Sequence, residues 1–307
     1  MWSESFPNRS FVRIHDRVFV STPYFTVLQL ALWRRARRVD LVNAETLAAE
    51  DARARAELGV EGQPLTAAQL ASWDNIARLA RATQVLCDFM GTYRYVPAAT
   101  TIPPAGETPA CPLPAYAGID YQTKPIITPE AFAAYLGEMS RVRGITRARR
   151  VTSFALPHSA SPMETTLALM LCLPHDMGGF GLPRPVLNHP VPIDPAERGL
   201  TSQGTIVADL CWPDQHVIVE YYGWDEHVGM GPSKVAADAA RANSLTALGW
   251  TVLHATFEQV RSIQGMALLA RQVARALGTT LPDASDLELE WRLRLWALLL
   301  PRLRHSR

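Results

Sequence analysis

Lysine is almost missing from this chain. Only Lys124 and Lys234 occur among 30 basic residues in 307, so its positive charge is almost all guanidinium. Cysteine is also scarce. Cys87, Cys111, Cys172 and Cys211 stand 24, 61 and 39 residues apart, with no Cys-x-x-Cys. That spacing excludes a zinc ribbon and gives no disulfide framework. No apolar run approaches the ~18 residues a membrane helix needs; arginines interrupt the nearest, Leu293–Leu303. The first residues lack the basic start and apolar stretch of a secretory signal, so a cytoplasmic protein without a membrane partner is expected. What is present is a core-forming composition, 48% hydrophobic and 19% charged, which excludes wholesale disorder.

Net charge is +1, unevenly spread. Residues 1–150 carry +4, residues 151–285 carry −5 and residues 286–307 carry +2. An acidic middle between basic flanks suits a metal-holding core with phosphate-facing arms, and equally an ordinary surface.

Local patterns divide the chain. Phe11–Ser21 alternates as a strand or hairpin. Thr22-Pro23 starts a helix to about Arg37, with Thr as cap and Pro in the first turn. Helical patterns follow at Ala44–Glu57 and Thr66–Phe89. Prolines crowd 97–114 and predict a linker. Thr128-Pro129 starts a further helix, and an arginine-rich helical stretch follows.

Beyond it an α/β unit is expected. Its helices are Ser161–Leu173, Ser233–Leu248 and Phe257–Leu277, and its strands Val186–Ile193, Thr205–Cys211, His216–Tyr222 and Trp250–Ala255. A last helix covers Leu287–Leu303. The expected organisation is a mainly helical region at 1–95, a linker at 96–116, a helical arm at 117–150, the α/β domain at 151–285 and a C-terminal helix at 286–307.

The chemistry centres on Glu164, Asp209 and Glu220. A two-residue turn between the strands at 205 and 216 gives antiparallel partners an odd sum. Asp209 and Glu220 then share one face, opposite or diagonal. Facing acids in apolar strands repel unless a cation joins them, and Mg²⁺ (or Mn²⁺) favours such oxygen ligands. Solvent-facing acids are the alternative. Glu164 lies in Ser161-Pro162-Met163-Glu164, a capping box, and can also project from the helix start toward the carboxylates.

An ordered set of residues resembles the PD-(D/E)XK nuclease superfamily, in the branch related to very-short-patch repair (Vsr) endonucleases. It comprises Ser161-Pro162-x-Glu164, Asp209-x10-Glu220-x-Tyr222-Gly223, His227, Asp238-x-x-Arg241 and Leu248-Gly249-Trp250-x-Val252. The likeness covers roughly 145–280. It implies a restriction-endonuclease-like core, a mixed sheet flanked by helices, after a mainly helical N-terminal region. It also implies that a metal-dependent endonuclease cuts DNA, with RNA as the other nucleic-acid substrate. In that scheme Asp209 is the central metal ligand, Glu220 is the second ligand or orients the attacking water, and Glu164 is the auxiliary helix carboxylate. His227 is the acid/base or phosphate contact, and Asp238 and Arg241 support the site. Val20–Leu32 resembles part of antitoxin-like proteins carrying this domain, which implies a protein partner for the N-terminal region.

One position departs from the pattern. Tyr222 holds the slot that a lysine or acid fills in the superfamily. Lys234 or Arg241 could supply that cation from the next helix; otherwise the chain is a catalytically inactive, nucleic-acid-binding or antitoxin-like regulator. His227 also reads as an ordinary loop histidine in a polar stretch. Lys234, Asp238 and Arg241 also read as a surface ion-pair ladder. Arg141, Arg143, Arg147, Arg149 and Arg150 either contact phosphates or form a solvated helix end. Gly178-Gly179-Phe180-Gly181 lacks the lysine of a phosphate loop.

Overall fold

The computed structural model describes residues 9–16, 18–32, 65–97, 116–139, 142, 144–193, 204–223 and 232–300; side chains 97, 116, 117 and 232–238 are outside that description. The expected helix at Ala44–Glu57 lies outside the described residues. The protein is mixed α/β and divides into two compact units. Unit 1 comprises 1–53, 62–166 and 297–307; unit 2 comprises 54–61 and 167–296.

In unit 1, β1 (Phe11–His15) and β2 (Val18–Ser21) form an antiparallel hairpin. Thr22 ends it and caps α1 (Pro23–Leu32): its Oγ1 accepts from the Phe25 N–H at 3.4 Å. Helix α2 (Ala67–Met90) starts with a reciprocal capping box between Thr66 and Gln69. It buries Leu86, Cys87 and Met90.

Strand β3 (Tyr93–Pro97) pairs antiparallel with β4 (Tyr116–Tyr121), so the proline-rich stretch joins two partnered strands. Loop closure costs only slowly more with length, which allows such a pairing. Helices α3 (Pro129–Gly137) and α4 (Ile145–Phe154) follow. The unit boundary falls within α5 (Pro162–Cys172).

Unit 2 holds a four-stranded mixed sheet in the order β5-β6-β7-β8, flanked by helices. The strands are β5 (Val186–Pro192), β6 (Thr205–Trp212), β7 (Val217–Tyr222) and β8 (Thr251–Thr256). β5, β6 and β7 are antiparallel neighbours, and β8 joins β7 in parallel. A parallel neighbour requires a crossover, here α6 (Pro232–Ala247). Ile206, Ala208, Cys211 and Ile218 form one core cluster with Leu245 of α6.

The expected single helix at Phe257–Leu277 is two: α7 (Phe257–Val260) and α8 (Ile263–Ala276). A second cap at Ser262, whose Oγ accepts from the Gly265 N–H at 3.3 Å, starts the new helix. Helix α9 (Asp286–Leu299) ends the described chain. Among the described residues no helix is long and apolar enough to cross a membrane.

Candidate functional site

The site is built where β6 and β7 part. Their ladder pairs Trp212 with Val217, Cys211 with Ile218 and Leu210 with Val219, and there it stops. These sums are odd, although the connection has four residues, a 3-10 turn at Pro213–Gln215 capped by His216, rather than two. One step beyond the last pair, the same register sets Asp209 opposite Glu220. The β5–β6 ladder also passes over this point, from Leu187↔Leu210 to His189↔Ala208. Asn188, beside Asp209, has φ of 49°. The irregularity on one side and the ladder's end on the other leave Asp209 in a gap of the sheet.

Side chains complete the hydrogen bonds there. Asp209 Oδ2 accepts from the Tyr221 N–H at 2.8 Å. Arg241 Nη2, from α6, donates to the Val207 carbonyl at 2.6 Å. The same nitrogen donates to Glu220 Oε1 and Oε2 at 2.8 and 2.9 Å. Buried polar groups need partners, and these bonds supply them without further ladder.

Glu220 is 8% exposed, so its charge is held largely out of water. Arg241 supplies the compensating charge. Cys211, in the adjoining buried core, has its thiol pushed up to about 12 by burial and then by the Glu220 carboxylate. It is therefore no thiolate nucleophile near neutral pH.

Tyr222 lies two residues along β7 from Glu220, on the same face. Its ring centroid is 5.1 Å from that of His254. His254 is the β8 register partner of Glu220. Sequence reading passed over His254. Its only signal was a polar residue inside the otherwise apolar Val252-Leu253-x-Ala255 run of a strand expected to be buried.

Glu164 belongs to unit 1, while Asp209, Glu220 and Arg241 belong to unit 2. Glu164 Oε2 accepts from the Ala160 N–H at 2.9 Å, and Ser161 Oγ accepts from the Glu164 N–H at 3.2 Å. This is a capping arrangement, displaced by one residue at the glutamate's acceptor contact.

His227 lies outside the described residues, as do the side chains of Lys234 and Asp238 in α6. Arg141 and Arg143 lie outside them too. Arg147 donates to Asn75 Oδ1 at 3.1 Å, and the Arg150 guanidinium lies 5.8 Å from the Phe154 ring centroid. Arg147, Arg149 and Arg150 are exposed on α4.

Among the described residues no group of three or more His, Cys, Asp and Glu could hold a metal ion. The donors at the strand gap are two carboxylates, Asp209 and Glu220. As hard oxygen donors they would suit Mg²⁺ in chemical type.

No family description matches the sequence, and no solved structure matches the chain. Two uncharacterised proteins of Mycobacterium tuberculosis are similar to it: MT2308 of strain CDC 1551 and Rv2248 of strain H37Rv. Each is 32% identical over 135 residues, a stretch covering 44% of this chain and 44% of the relative.

Proposed function

We propose that unit 2 is a restriction-endonuclease-like core whose β6–β7 gap hydrolyses phosphodiester bonds in DNA with Mg²⁺ or Mn²⁺. One observation carries the reading: Arg241 reaches from α6 to Glu220 at 2.8 Å, beside the position Asp209 occupies in register. The resemblance calls for a cation in the slot that Tyr222 fills, and Arg241 offers it from the helix. The resemblance implies the order helix, strand hairpin, strand, helix, strand, helix with the site on the hairpin; the chain runs helix α5, strands β5, β6 and β7, helix α6, strand β8 and helices α7 and α8, with the two acids on the β6–β7 hairpin.

Asp209 and Glu220 would hold the ion, and the ion would supply a more acidic water and neutralise phosphate charge. Arg241 fixes the Glu220 carboxylate and places positive charge where the phosphate gains negative charge. His254, beside Glu220 and against Tyr222, is within the protein's own reach of that chemistry and joins His227 as a candidate proton donor to the leaving oxygen.

A second reading rests on the same contact. Arg241 already compensates Glu220, and Asp209 already accepts a backbone N–H, so the acids stand together without an ion. That favours a catalytically inactive nucleic-acid binder or antitoxin-like regulator.

The test incubates the full chain with plasmid and with single-stranded DNA in Mg²⁺ and in Mn²⁺. Asp209→Asn and Glu220→Gln serve as controls. Metal-dependent cutting that both variants lose supports the nuclease. No cutting, with binding that weakens as salt rises, supports the inactive binder. Absence of both cutting and binding removes nucleic acid from the reading and leaves a protein-interaction role.

A further inference from the structure

Unit 2 contains a second arrangement, apart from the strand gap. Helices α8 and α9 line a half-open pocket of about 430 Å³. Its apolar wall comprises Ile263, Ala267, Leu268 and Leu289, and its charged wall Arg271 and Arg292. Helical spacing explains the set: 263, 267 and 271 are four apart on α8, and 289 and 292 are three apart on α9.

Arg292 is the unusual member. It is 8% exposed, and its Nε is buried with no hydrogen-bond partner. The guanidinium carbon lies 4.3 Å from the Phe180 ring centroid, a cation–π contact. Among the described residues no carboxylate stands within ion-pair distance of it.

The natural helical partner is Glu288, four residues earlier. Ser285 holds that carboxylate: its N–H and its hydroxyl both donate to Glu288 Oε2 at 2.8 Å. Burial lowers the pKa of Arg292; the Glu288 charge opposes this and Arg271 adds to it. Arginine nevertheless stays charged, so the site keeps a costly, uncompensated guanidinium beside a second one.

The chain holds Arg292 in this position by a rigid loop. A Cβ at Gly178 would lie 2.3 Å from the Trp291 carbonyl oxygen, and one at Gly179 would lie 1.9 Å from the Leu173 carbonyl oxygen. Only glycine permits that approach, and it lays Phe180 beneath the guanidinium. The Gly178-Gly179-Phe180-Gly181 run thus has a packing role.

We propose that this pocket binds a small monocarboxylate with an aliphatic body, its carboxylate paired by Arg292 and Arg271 and its chain against Ile263, Ala267, Leu268 and Leu289. A guanidinium takes a carboxylate in two parallel hydrogen bonds. The apolar wall gains from a hydrocarbon body and nothing from a bare oxyanion. A phosphate dianion would also lose more hydration on entry. The site is independent of the proposed nuclease chemistry.

The test titrates the full chain with octanoate, octanol and inorganic phosphate by calorimetry. Octanoate is expected to bind at one site, with octanol and phosphate each at least tenfold weaker. Arg292→Met is expected to weaken octanoate at least tenfold, while its unfolding temperature without ligand stays equal or rises, because an unpaired buried charge is gone. Leu268→Glu, at a position 46% exposed, keeps the fold and brings a competing carboxylate; it is expected to cost tenfold or more as well. Absence of octanoate binding overturns the proposal. So does a smaller loss in either folded variant, or octanol or phosphate binding within tenfold of octanoate.

Discussion

Arg241 holds Glu220 by a single nitrogen that donates to both carboxylate oxygens, at 2.8 and 2.9 Å. The pair joins helix α6 to strand β7. Its carboxylate is nearly buried and its guanidinium about one-third exposed. Removing one member of such a pair costs more than the pair contributes, because the other charge is stranded.

Arg241→Met should therefore destabilise the protein by roughly 3 kcal/mol, the low end for a broken buried pair, because water still reaches the guanidinium side. Glu220→Gln should cost less, since the freed arginine can turn to solvent. The double variant should recover part of the Arg241→Met loss. Urea unfolding of all four proteins gives the coupling energy. Additive losses would mean that the two charges do not compensate each other.

Asp209 acts on backbone as well as in any chemistry. Its Oδ2 satisfies the Tyr221 N–H past the end of the ladder. Asp209→Ala should cost about 1–2 kcal/mol for an orphaned donor, whereas Asp209→Asn keeps an acceptor and should cost less. Chemical denaturation of the two variants separates these roles. For that reason Asp209→Asn, rather than Asp209→Ala, is the control in a cleavage assay.

Much of the strand gap was legible in the sequence. Facing acids followed from parity alone: any short turn with an even number of residues sets 209 and 220 on one face, and the four-residue turn at Pro213–His216 preserves that parity. The partner was not legible. Lys234 and Arg241 lie on one helix, and the contact of Arg241 with Glu220 depends on how α6 packs on the sheet, which local pattern does not carry. His254 escaped because register across a parallel crossover is set by the packing of α6, not by local pattern. The β3–β4 pair escaped for a related reason: proline density marks where regular structure stops, and is silent on whether the flanking segments find each other. The break of α7 from α8 was written in Ser262, but the apolar periodicity continued across it and masked the cap.

The glycine loop gives a prediction on stability alone. A Cβ at Gly179 would stand 1.9 Å from a main-chain oxygen, so backbone must move rather than a flexible side chain. Gly179→Ala should cost more than about 3 kcal/mol, in the tail of single substitutions reserved for backbone clashes. Gly249→Ala is the comparison. Unlike Gly179 it has a positive φ, 80°, but nothing lies within 4 Å of an added Cβ, so it should cost only about 1 kcal/mol. Thermal unfolding of the pair tests whether close approach, and not φ, makes the loop demand glycine.

Unit 1 carries a pH dependence through Asp88. Burial raises its pKa to about 6, against the opposing Tyr93 hydrogen bond and Arg81 charge. Tyr93 contacts Asp88 and lies 3.0 Å from Thr165 Oγ1; Thr165 donates to Ser159 Oγ at 2.9 Å, and Ser159 donates to the Ser161 carbonyl at 2.7 Å. Tyr93 donates to Asp88 Oδ1, which favours the carboxylate, but burial outweighs it and keeps the carboxyl protonated to a higher pH than in water. The native state thus binds a proton that the unfolded chain, with an ordinary carboxyl near 3.8, has already released. Stability from this group is full below about pH 4, falls as pH rises toward 6 and is level above that. The difference between 3.8 and about 6 corresponds to at most about 3 kcal/mol. Asp88→Asn cannot titrate, so the stability difference between wild type and variant should shrink by up to that amount from pH 4 to pH 7. Denaturant unfolding at several pH values reads it directly, and a difference constant with pH would mean that Asp88 is ionised in the native protein throughout.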